Sequence, residues 1–258
     1  MNFKKKKILV IAGSDPSGGA GIELAIKIYQ KLGAYTLNVI TAITAQNSMG
    51  VKDFIFVDRD IFLKQLKSIS EDFDFDMIKI GIIGDKLLID TFISWYFKLK
   101  KKVPIIIDTV LKSTSNKNFF DNDLLWNSYK KLLSISTIIT PNLQEAKLLT
   151  QKENIEDIIK QFREIGVENG VITGGDIVSD LAKDYLFSTD KIEDISIKKI
   201  LLDNEIHGTG CFFSNILGFY YIDNRDIFIS SKMAKKMITL YIQKNIIKLG
   251  NGYYYFDI

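Results

Sequence analysis

The sequence has a single cysteine and a single histidine among its 258 residues. One cysteine cannot form an intrachain disulfide or build a cysteine-rich metal site, which fits a protein of the reducing cytoplasm. One histidine likewise excludes the multi-histidine metal centres that many zinc enzymes use. These two shortages remove disulfide scaffolds and the common zinc sites from consideration.

An excess of charge and long apolar runs are missing as well. The 34 basic and 31 acidic residues leave a formal net charge of +3, which does not argue for a nucleic-acid partner. The apolar run at 8–12 is too short for a signal-peptide core or a membrane span, and no other run approaches membrane length. We therefore expect a cytoplasmic protein that acts on small molecules, without nucleic acid or membrane as a partner.

What is present is the composition of an ordinary globular protein, with 47% hydrophobic and 25% charged residues. Short apolar segments without alternation are separated by helical periodicity, which indicates a parallel sheet covered on both faces. With no linker or repeat, we expect one α/β domain over residues 1–258. The predicted strands are 8–12, 39–45, 53–57, 77–80, 103–107, 137–140, 170–173, 181–187 and 195–202, the last two antiparallel. Helices are predicted after the first strand and at 58–70, 85–99, 123–133, 144–149, 155–165 and 225–248.

Two glycines flank a threonine at Gly208-Thr209-Gly210, directly before Cys211 and a long apolar run. The glycines allow a tight turn, and the apolar run predicts a buried helix that begins near Cys211. Unpaired N–H groups at the start of that helix would face one spot, where the helix dipole favours negative charge. Such a turn suits a phosphate, or the charge that develops during phosphoryl transfer. Taken alone, the same residues also fit a glycine-rich loop that caps a core helix.

The segment 13–21, Gly-Ser-Asp-Pro-Ser-Gly-Gly-Ala-Gly, connects the first predicted strand to the first predicted helix. It is not a P-loop, because no Gly-Lys-Ser/Thr closes it. It also fails the dinucleotide-binding pattern, because Leu24 stands where the third glycine belongs. A loop rich in Gly, Ser and Asp can still hold a ligand on backbone N–H groups, and we expect it to do so.

Polar residues and glycines gather where the predicted strands end, at 13–17, 46, 81, 108, 142 with 145, and 174–175. In an open parallel sheet these carboxyl ends form the ligand crevice. The amides of Gln46 and Asn47 can read the edge of a heterocycle, although the local sequence favours a simple turn. Asp108 and Glu145 can hold Mg²⁺, which bridges phosphates. Singly, Asp108 ends a strand and Glu145 suits the first turn of a helix, but with the turn at 208–211 they favour phosphoryl transfer.

Five segments together resemble a known family: AGSDPSGGAGI at 12–22, TAITAQNSMGV at 41–51, IKIGIIG at 78–84, TPNLQEA at 140–146 and HGTGC at 207–211. Their order, spacing and placement at strand ends are similar to those of the ribokinase-like kinases. Among these they resemble the hydroxymethylpyrimidine/phosphomethylpyrimidine kinases of thiamine biosynthesis, over about residues 8–221. The resemblance implies a three-layer α/β/α fold with a mostly parallel sheet. It also implies ATP-dependent phosphorylation of 4-amino-5-hydroxymethyl-2-methylpyrimidine and then of its monophosphate, in a homodimer.

The resemblance also implies roles for particular residues. The turn at 208–210 would be the anion hole, and Cys211 would be the base that takes the proton of the substrate hydroxyl. A free thiol has a pKa of about 8.5, which a helix N-terminus can lower, but a buried inert thiol is the alternative. The implied substrate-binding residues are Gly13, Asp15, Gln46, Ile82 and Val110. The implied nucleotide-binding residues are Asn142, Thr173, Gly174 and Gly175, with Asp108 and Glu145 organising Mg²⁺.

The sequence departs from this family at three places. Ala25 stands where the family has an aspartate that helps to hold the pyrimidine. Thr173-Gly174-Gly175-Asp176 replaces the usual Lys-Gly-Gly-His, and Ser115-Asn116 replaces Ser-Gly. Ala25 leaves room for a pyridoxal or pyridoxine kinase of the same fold, against which Gln46 argues. A non-catalytic ligand-binding relative is a further alternative.

Overall fold

Nine strands form one sheet in the computed structural model, which describes residues 5–111, 123–175 and 180–258. The departures at Ser115, Asn116 and Asp176 lie outside these residues. In chain order the strands of the sheet are β1 (Lys7–Ser14), β2 (Tyr35–Asn47), β3 (Gly50–Phe56), β4 (Met77–Ile80), β5 (Ile105–Ile107), β6 (Ile138–Ile139), β7 (Gly170–Ile172), β8 (Leu181–Phe187) and β9 (Ile192–Lys198). A separate antiparallel pair consists of β10 (Ile246–Ile247) and β11 (Tyr255–Phe256).

The strand order of the large sheet is β3-β2-β1-β4-β5-β6-β7-β8-β9. The six strands from β2 to β7 in this order are parallel, while β3, β8 and β9 are antiparallel to their neighbours. From β1 the chain first moves to β2 on one side and later to β4 on the other. Such a switch of direction opens a crevice at the carboxyl ends of the strands, where ligands bind in open α/β sheets.

Helices cover both faces of the sheet. They are α1 (Gly21–Lys31), α2 (Arg59–Asp72), α3 (Lys86–Lys98), α4 (Asp123–Ser134), α5 (Leu143–Thr150), α6 (Ile155–Ile165), α7 (Thr209–Asn224) and α8 (Ile227–Lys244). Leu9 and Ile11 of β1 pack with α2 to α6, whereas Ile8 and Val10 pack with α1, α7 and α8. Alternation along a strand produces this division, because successive side chains point to opposite faces. The predicted three-layer fold is confirmed.

The predicted limits of helices and strands agree best with the structure where a capping residue or a glycine marks the end of the element. Helix α6 has the predicted limits, because the Asn154 side chain caps its first turn and Gly166 ends it in a left-handed conformation. Strand β9 begins three residues earlier than predicted, and α8 is shorter than the predicted helix at 225–248. The helical periodicity at 58–70 predicts that Ile61 of α2 faces inward with Leu66 and Ile69, but Ile61 is exposed, and Phe62 is buried instead. Among the described residues, no helix has both the length and the apolar character of a membrane span.

The C-terminal segment packs against the crevice end of the molecule. The aromatic run at 253–256 predicts a packed segment, and Tyr255 and Phe256 are indeed buried, with the Phe256 ring 4.2 Å from that of Phe212 on α7. The N–H of Tyr253 donates to the carbonyl of Ser48 after β2 over 2.9 Å. The segment therefore covers one side of the region in which the predicted site residues meet.

Candidate active site

The first turn of α7 is built against the loop that follows β1. Gly208, the residue before the helix, has φ 79°, a left-handed conformation that glycine adopts without strain. A Cβ at Gly208 would collide with the carbonyl oxygen of Gly19, so the close approach of the two loops requires glycine here. No side chain caps the helix, which leaves the N–H groups of Thr209, Gly210 and Cys211 directed at the crevice.

Helix α1 has an uncapped N-terminus in the same place. Gly21 has φ 59°, its Cβ would collide with the Gly13 carbonyl, and no side chain caps the helix. The backbone N–H of Gly21 interacts with the sulfur of Cys211, so the beginnings of α1 and α7 meet at this thiol. Five other helices are capped by the side chains of Asp58, Asp85, Asn142, Asn154 and Asp226. The two helices that meet at Cys211 thus differ from these five in having open ends.

Cys211 is half-buried as a residue, and its thiol lies between Gly21 and the carboxylate of Asp108. Burial raises the pKa of the thiol well above its ordinary value, and the negative charge of Asp108 raises it further, while Lys79 acts in the opposite direction. Burial and the Asp108 charge therefore outweigh the expected lowering of this pKa by the helix N-terminus. The thiol is protonated at neutral pH and hydrogen-bonds to Asp108.

Asp108 follows β5 and forms a buried ion pair with Lys79 of the neighbouring strand β4, at 3.1 Å between Nζ and Oδ2. The hydroxyl of Ser214 lies 3.2 Å from the same oxygen. Burial alone would lower the pKa of Lys79, but the Asp108 carboxylate outweighs it and raises that pKa. A charged pair thus lies beneath the turn at 208–211. Sequence reasoning missed Lys79, because a lysine inside the apolar run IKIGIIG gives no sign of its partner.

Asp15 holds the first loop together through both of its carboxylate oxygens. Oδ1 accepts from the N–H and the hydroxyl of Ser17, and Oδ2 accepts from the N–H groups of Gly19 and Ala20. The imidazole Nε2 of His207 lies 2.9 Å from Oδ2. Burial would raise the pKa of Asp15, but the hydrogen bonds from His207 and Ser17 hold it well below its usual range. With five donors already bound, this carboxylate shapes the loop and has little capacity left for a ligand.

Gln46 is the last but one residue of β2, and its amide nitrogen lies 3.1 Å from His207 Nε2. The neighbouring Asn47 instead accepts from the N–H of Met49 and so forms the local turn. Of the two adjacent amides, Gln46 is therefore the one that the structure brings to the turn at 208–211. The position of His207 between Gln46 and Asp15 was not predicted from its motif.

The residues expected to line a substrate pocket come from neighbouring strands. Gly13 is the last but one residue of β1, and the Cδ1 atom of Ile82 would lie 3.8 Å from a Cβ placed on this glycine. Thr41 holds the loop after β4 by donating to the carbonyl of Ile82. Val110 lies two residues beyond Asp108, with its N–H bonded to the Asp108 carbonyl. Gly13, Ile82 and Thr41 are thus close together. Val110 follows β5, the strand next to β4.

Asn142 and Glu145 form a capping box at the start of α5. Asn142 Oδ1 accepts from the N–H of Glu145 at 2.8 Å, and Glu145 Oε2 accepts from the N–H of Asn142 at 3.0 Å. Glu145 also accepts from the hydroxyl of Thr109 at 3.1 Å. Burial raises the pKa of Glu145 to about 8, and the nearby charge of Asp108 adds to this effect. At neutral pH and without a cation, this carboxyl group is mostly protonated.

Asp108 and Glu145 offer the hard oxygen donors that Mg²⁺ takes in phosphoryl-transfer sites, where one or two carboxylates act with substrate phosphates and water. The described residues contain no group of three or more acidic, His or Cys side chains that could hold a metal by themselves. The two carboxylates fit a Mg²⁺ ion that arrives with phosphates. A cation here would displace the proton of Glu145 and share Asp108 with Lys79.

The turn after β7 lies beside the start of α5. Thr173 forms a parallel β-bridge with Asn142, its N–H donates to the Pro141 carbonyl at 2.8 Å, and its own carbonyl accepts from Leu143 at 2.9 Å. Gly174 is buried and Gly175 is half-buried. Of the predicted nucleotide-side residues, Thr173 and Asn142 thus lie side by side, held by backbone hydrogen bonds between Thr173 and the two neighbours of Asn142.

Two further positions on α1, Glu23 and Ala25, bear on the site. Glu23, in the first turn of α1, accepts from the Ser14 hydroxyl at 2.6 Å and from the Asp15 N–H at 2.7 Å, and so holds the first loop from its other side. Ala25 is fully buried in the cluster shared by α1, α7 and α8. The alanine at this departure thus contributes to the apolar core.

A family model described as phosphomethylpyrimidine kinase matches residues 15–257 of the chain. A hydroxymethylpyrimidine/phosphomethylpyrimidine kinase of Staphylococcus aureus is 34% identical over 248 residues, which cover 93% of this chain and 89% of that protein. The fold is similar to that of a Clostridium difficile phosphomethylpyrimidine kinase, with a TM-score of 0.78, 29% identity and coverage of 92% and 100%. It is also similar to a Bacillus subtilis pyridoxal kinase solved with ADP, with a TM-score of 0.85, 26% identity and coverage of 98% and 97%.

Proposed function

The chain belongs to the phosphomethylpyrimidine kinase family, and we propose that it transfers the terminal phosphoryl group of ATP to 4-amino-5-hydroxymethyl-2-methylpyrimidine and then to its monophosphate. This reaction sequence supplies the pyrimidine pyrophosphate for thiamine biosynthesis. The family and the ribokinase-like kinase fold predicted from the five motifs are confirmed, and the kinase prediction is favoured over a non-catalytic relative.

The observation that carries the proposal is the meeting of two uncapped helix N-termini at Cys211. The N–H groups of Thr209, Gly210 and Cys211 stabilise the negative charge that develops on the transferred phosphoryl group. The substrate oxygen forms a bond to phosphorus as the bond to the leaving phosphate breaks. The hydroxyl proton passes to the sulfur of Cys211 as the proton already on that thiol moves along its hydrogen bond to the Asp108 carboxylate, so Cys211 relays the proton.

The substrate ring lies, in this proposal, between Gly13, Ile82 and Val110, with the Gln46 amide at its edge. The geometric support is the proximity of Gly13 to Ile82 and of Gln46 to the catalytic turn through His207. The contribution assigned to Asp15 is revised, because its carboxylate is taken up by the loop. Asp15 acts on the substrate by fixing the backbone of the loop.

The nucleotide lies on the other half of the crevice, against Asn142 and the turn at 173–175. Asp108 and Glu145 would hold Mg²⁺ there, and the ion would neutralise phosphate charge and fix the phosphates in place. The capping box holds Glu145 in position before any ligand arrives. Binding of the cation as a complex with ATP accounts for a site whose described residues supply two carboxylates.

We also propose a homodimer of single-domain subunits in the cytoplasm. Ile43 and Ile55 face each other across β2 and the edge strand β3, and are 52% and 65% exposed. An apolar pair on a sheet edge favours association with a second copy. Sedimentation of the purified protein should give twice the chain mass, and a charged Ile55→Lys variant should shift it toward the monomer.

A coupled assay of ATP consumption with Mg²⁺ tests the reaction on three alcohols: the hydroxymethylpyrimidine, its monophosphate and pyridoxal. We expect turnover of the first two and little of the third. Turnover of pyridoxal alone would overturn the proposal in favour of vitamin B6 salvage. No turnover of any of the three, in protein shown to be folded, would contradict a kinase acting on these rings.

Pyridoxal phosphorylation is the second candidate because one specific observation favours it. The Bacillus subtilis pyridoxal kinase has the higher TM-score of the two neighbouring structures compared above. Ala25 also stands where the family has an aspartate that helps to hold the pyrimidine. The higher sequence identity to a pyrimidine kinase, together with Gln46, keeps the pyrimidine as the first choice.

A further inference from the structure

Asp184 is a deeply buried carboxylate outside every motif of the sequence. It lies on β8 and is 1% exposed. By strand alternation it shares a face with Leu186, which packs in the cluster of α1, α7 and α8. A carboxylate in such apolar surroundings is costly unless its oxygens are bound. Its partners therefore show which parts of the fold the carboxylate connects.

The two oxygens of Asp184 contact two different parts of the fold. Oδ1 accepts from the backbone N–H of Gly174 at 3.1 Å, in the turn that follows β7. Oδ2 pairs with Nζ of Lys235 at 2.6 Å, and Lys235 is a residue of α8 that is only 8% exposed. The carboxylate therefore joins the turn at 173–175 to a helix that lies outside the crevice.

The same turn is bound from its other side to the residues proposed to meet ATP and Mg²⁺. Thr173 pairs with Asn142, and Asn142 and Glu145 cap each other. A shift of Gly174 would pass through Thr173 to the start of α5. The geometry thus makes the position of the turn depend on Asp184.

We propose that Asp184 is a positioning residue for the nucleotide: its carboxylate oxygen holds the Gly174 N–H, and Lys235 compensates the charge of that buried carboxylate. The inference rests on the proposed function, in which the turn at 173–175 binds the nucleotide. A turn that is held in its bound position before the ligand arrives loses less conformational freedom on binding. Loosening it weakens ATP binding and leaves the alcohol substrate, on the other half of the crevice, unaffected.

Two double variants separate the hydrogen bond from the charges. Asp184→Asn with Lys235→Met removes both charges but keeps an oxygen for the Gly174 N–H. Asp184→Ala with Lys235→Met removes the charges and the oxygen together. We expect the dissociation constant of a non-hydrolysable ATP analogue to stay within about threefold of wild type in the first and to rise about tenfold or more in the second. The KM for the alcohol substrate should change less than about twofold in both variants. A change this small is less than the loss of one hydrogen bond to the substrate would cause.

Thermal unfolding of each variant checks that the fold is intact, and amide hydrogen exchange over residues 170–175 gives a second readout. Protection of this segment should persist in the Asn/Met variant, and its loss there would overturn the proposal even if the Ala/Met variant does not fold. Equal weakening of ATP binding in both double variants would show that charge is what matters, which also overturns it. Wild-type affinity in both would refute only this inference, whereas a wild-type protein that binds no ATP analogue would refute the proposed function itself.

Discussion

His207 Nε2 lies 2.9 Å from Oδ2 of Asp15, a contact between segments that are 192 residues apart in the chain. Because an ionised carboxylate only accepts hydrogen bonds, Nε2 of His207 is the donor in this contact. Nδ1 is buried and has no hydrogen-bond partner among the described residues. The ring also stacks on Tyr253 at 5.9 Å. One histidine thus ties the loop after β1, the turn at 208–211 and the C-terminal segment together.

Asp15→Asn should lower stability, because an amide cannot accept the five hydrogen bonds that the carboxylate accepts. We expect a loss of about 1–3 kcal/mol in the free energy of unfolding. For a chain of this size the melting temperature should fall by about 2–4 °C per kcal/mol. Thermal denaturation measures this, with the exposed Asp74→Asn as the matched control. A melting temperature equal to that of the control would show that the loop does not depend on Asp15.

Cys211→Ala should lower kcat by about 10²–10⁴-fold, which is the contribution of a positioned general base. The affinity for an ATP analogue should stay close to wild type, because the nucleotide-side turn does not include Cys211. Single-turnover kinetics and direct nucleotide titration measure the two quantities separately. Unchanged turnover would remove Cys211 from the role of base and leave Asp108 as the nearest proton acceptor.

Glu145 predicts a dependence of stability on pH in metal-free buffer. Its pKa rises from 4.5 to about 8 on folding, so the folded state binds the proton more tightly than the unfolded state. The stability contributed by this proton is fully present below pH 4.5 and is lost as the pH rises through about 8. Denaturant titrations should show this loss in the wild type, and Glu145→Gln should lack it. Parallel pH curves for the two proteins would contradict the raised pKa.

Lys79→Met should be strongly destabilising, because it leaves the carboxylate of Asp108 buried without its counter-charge. Breaking a buried pair in this way costs about 3–5 kcal/mol. The double change Lys79→Met with Asp108→Asn removes both charges, so we expect it to recover part of the lost stability. A chemical denaturation series on the two variants checks this, and a double variant less stable than Lys79→Met would refute the account of the pair.

The sequence was most informative where local chemistry dictates structure. Asn154 and Gly166 bound α6 at the predicted residues, since a cap and a left-handed glycine act within one turn of chain. The apolar residues of α2 fit more than one choice of buried helix face. The sequence therefore led to the wrong choice between Ile61 and Phe62. Which of two adjacent apolar residues faces the sheet depends on the angle at which the helix packs, and this is a tertiary property.

From the sequence alone, the order of the motifs determined the family, the fold class and the set of residues at the strand ends. The tertiary structure decided how those residues are used. It showed that the carboxylate of Asp15 is taken up by the loop, that Asp108 is paired with Lys79, and that Asp184 reaches Gly174. Such pairings join residues far apart in the chain. Each of these charged groups becomes buried only when the sheet and its helices exclude water, and only then does it need a partner.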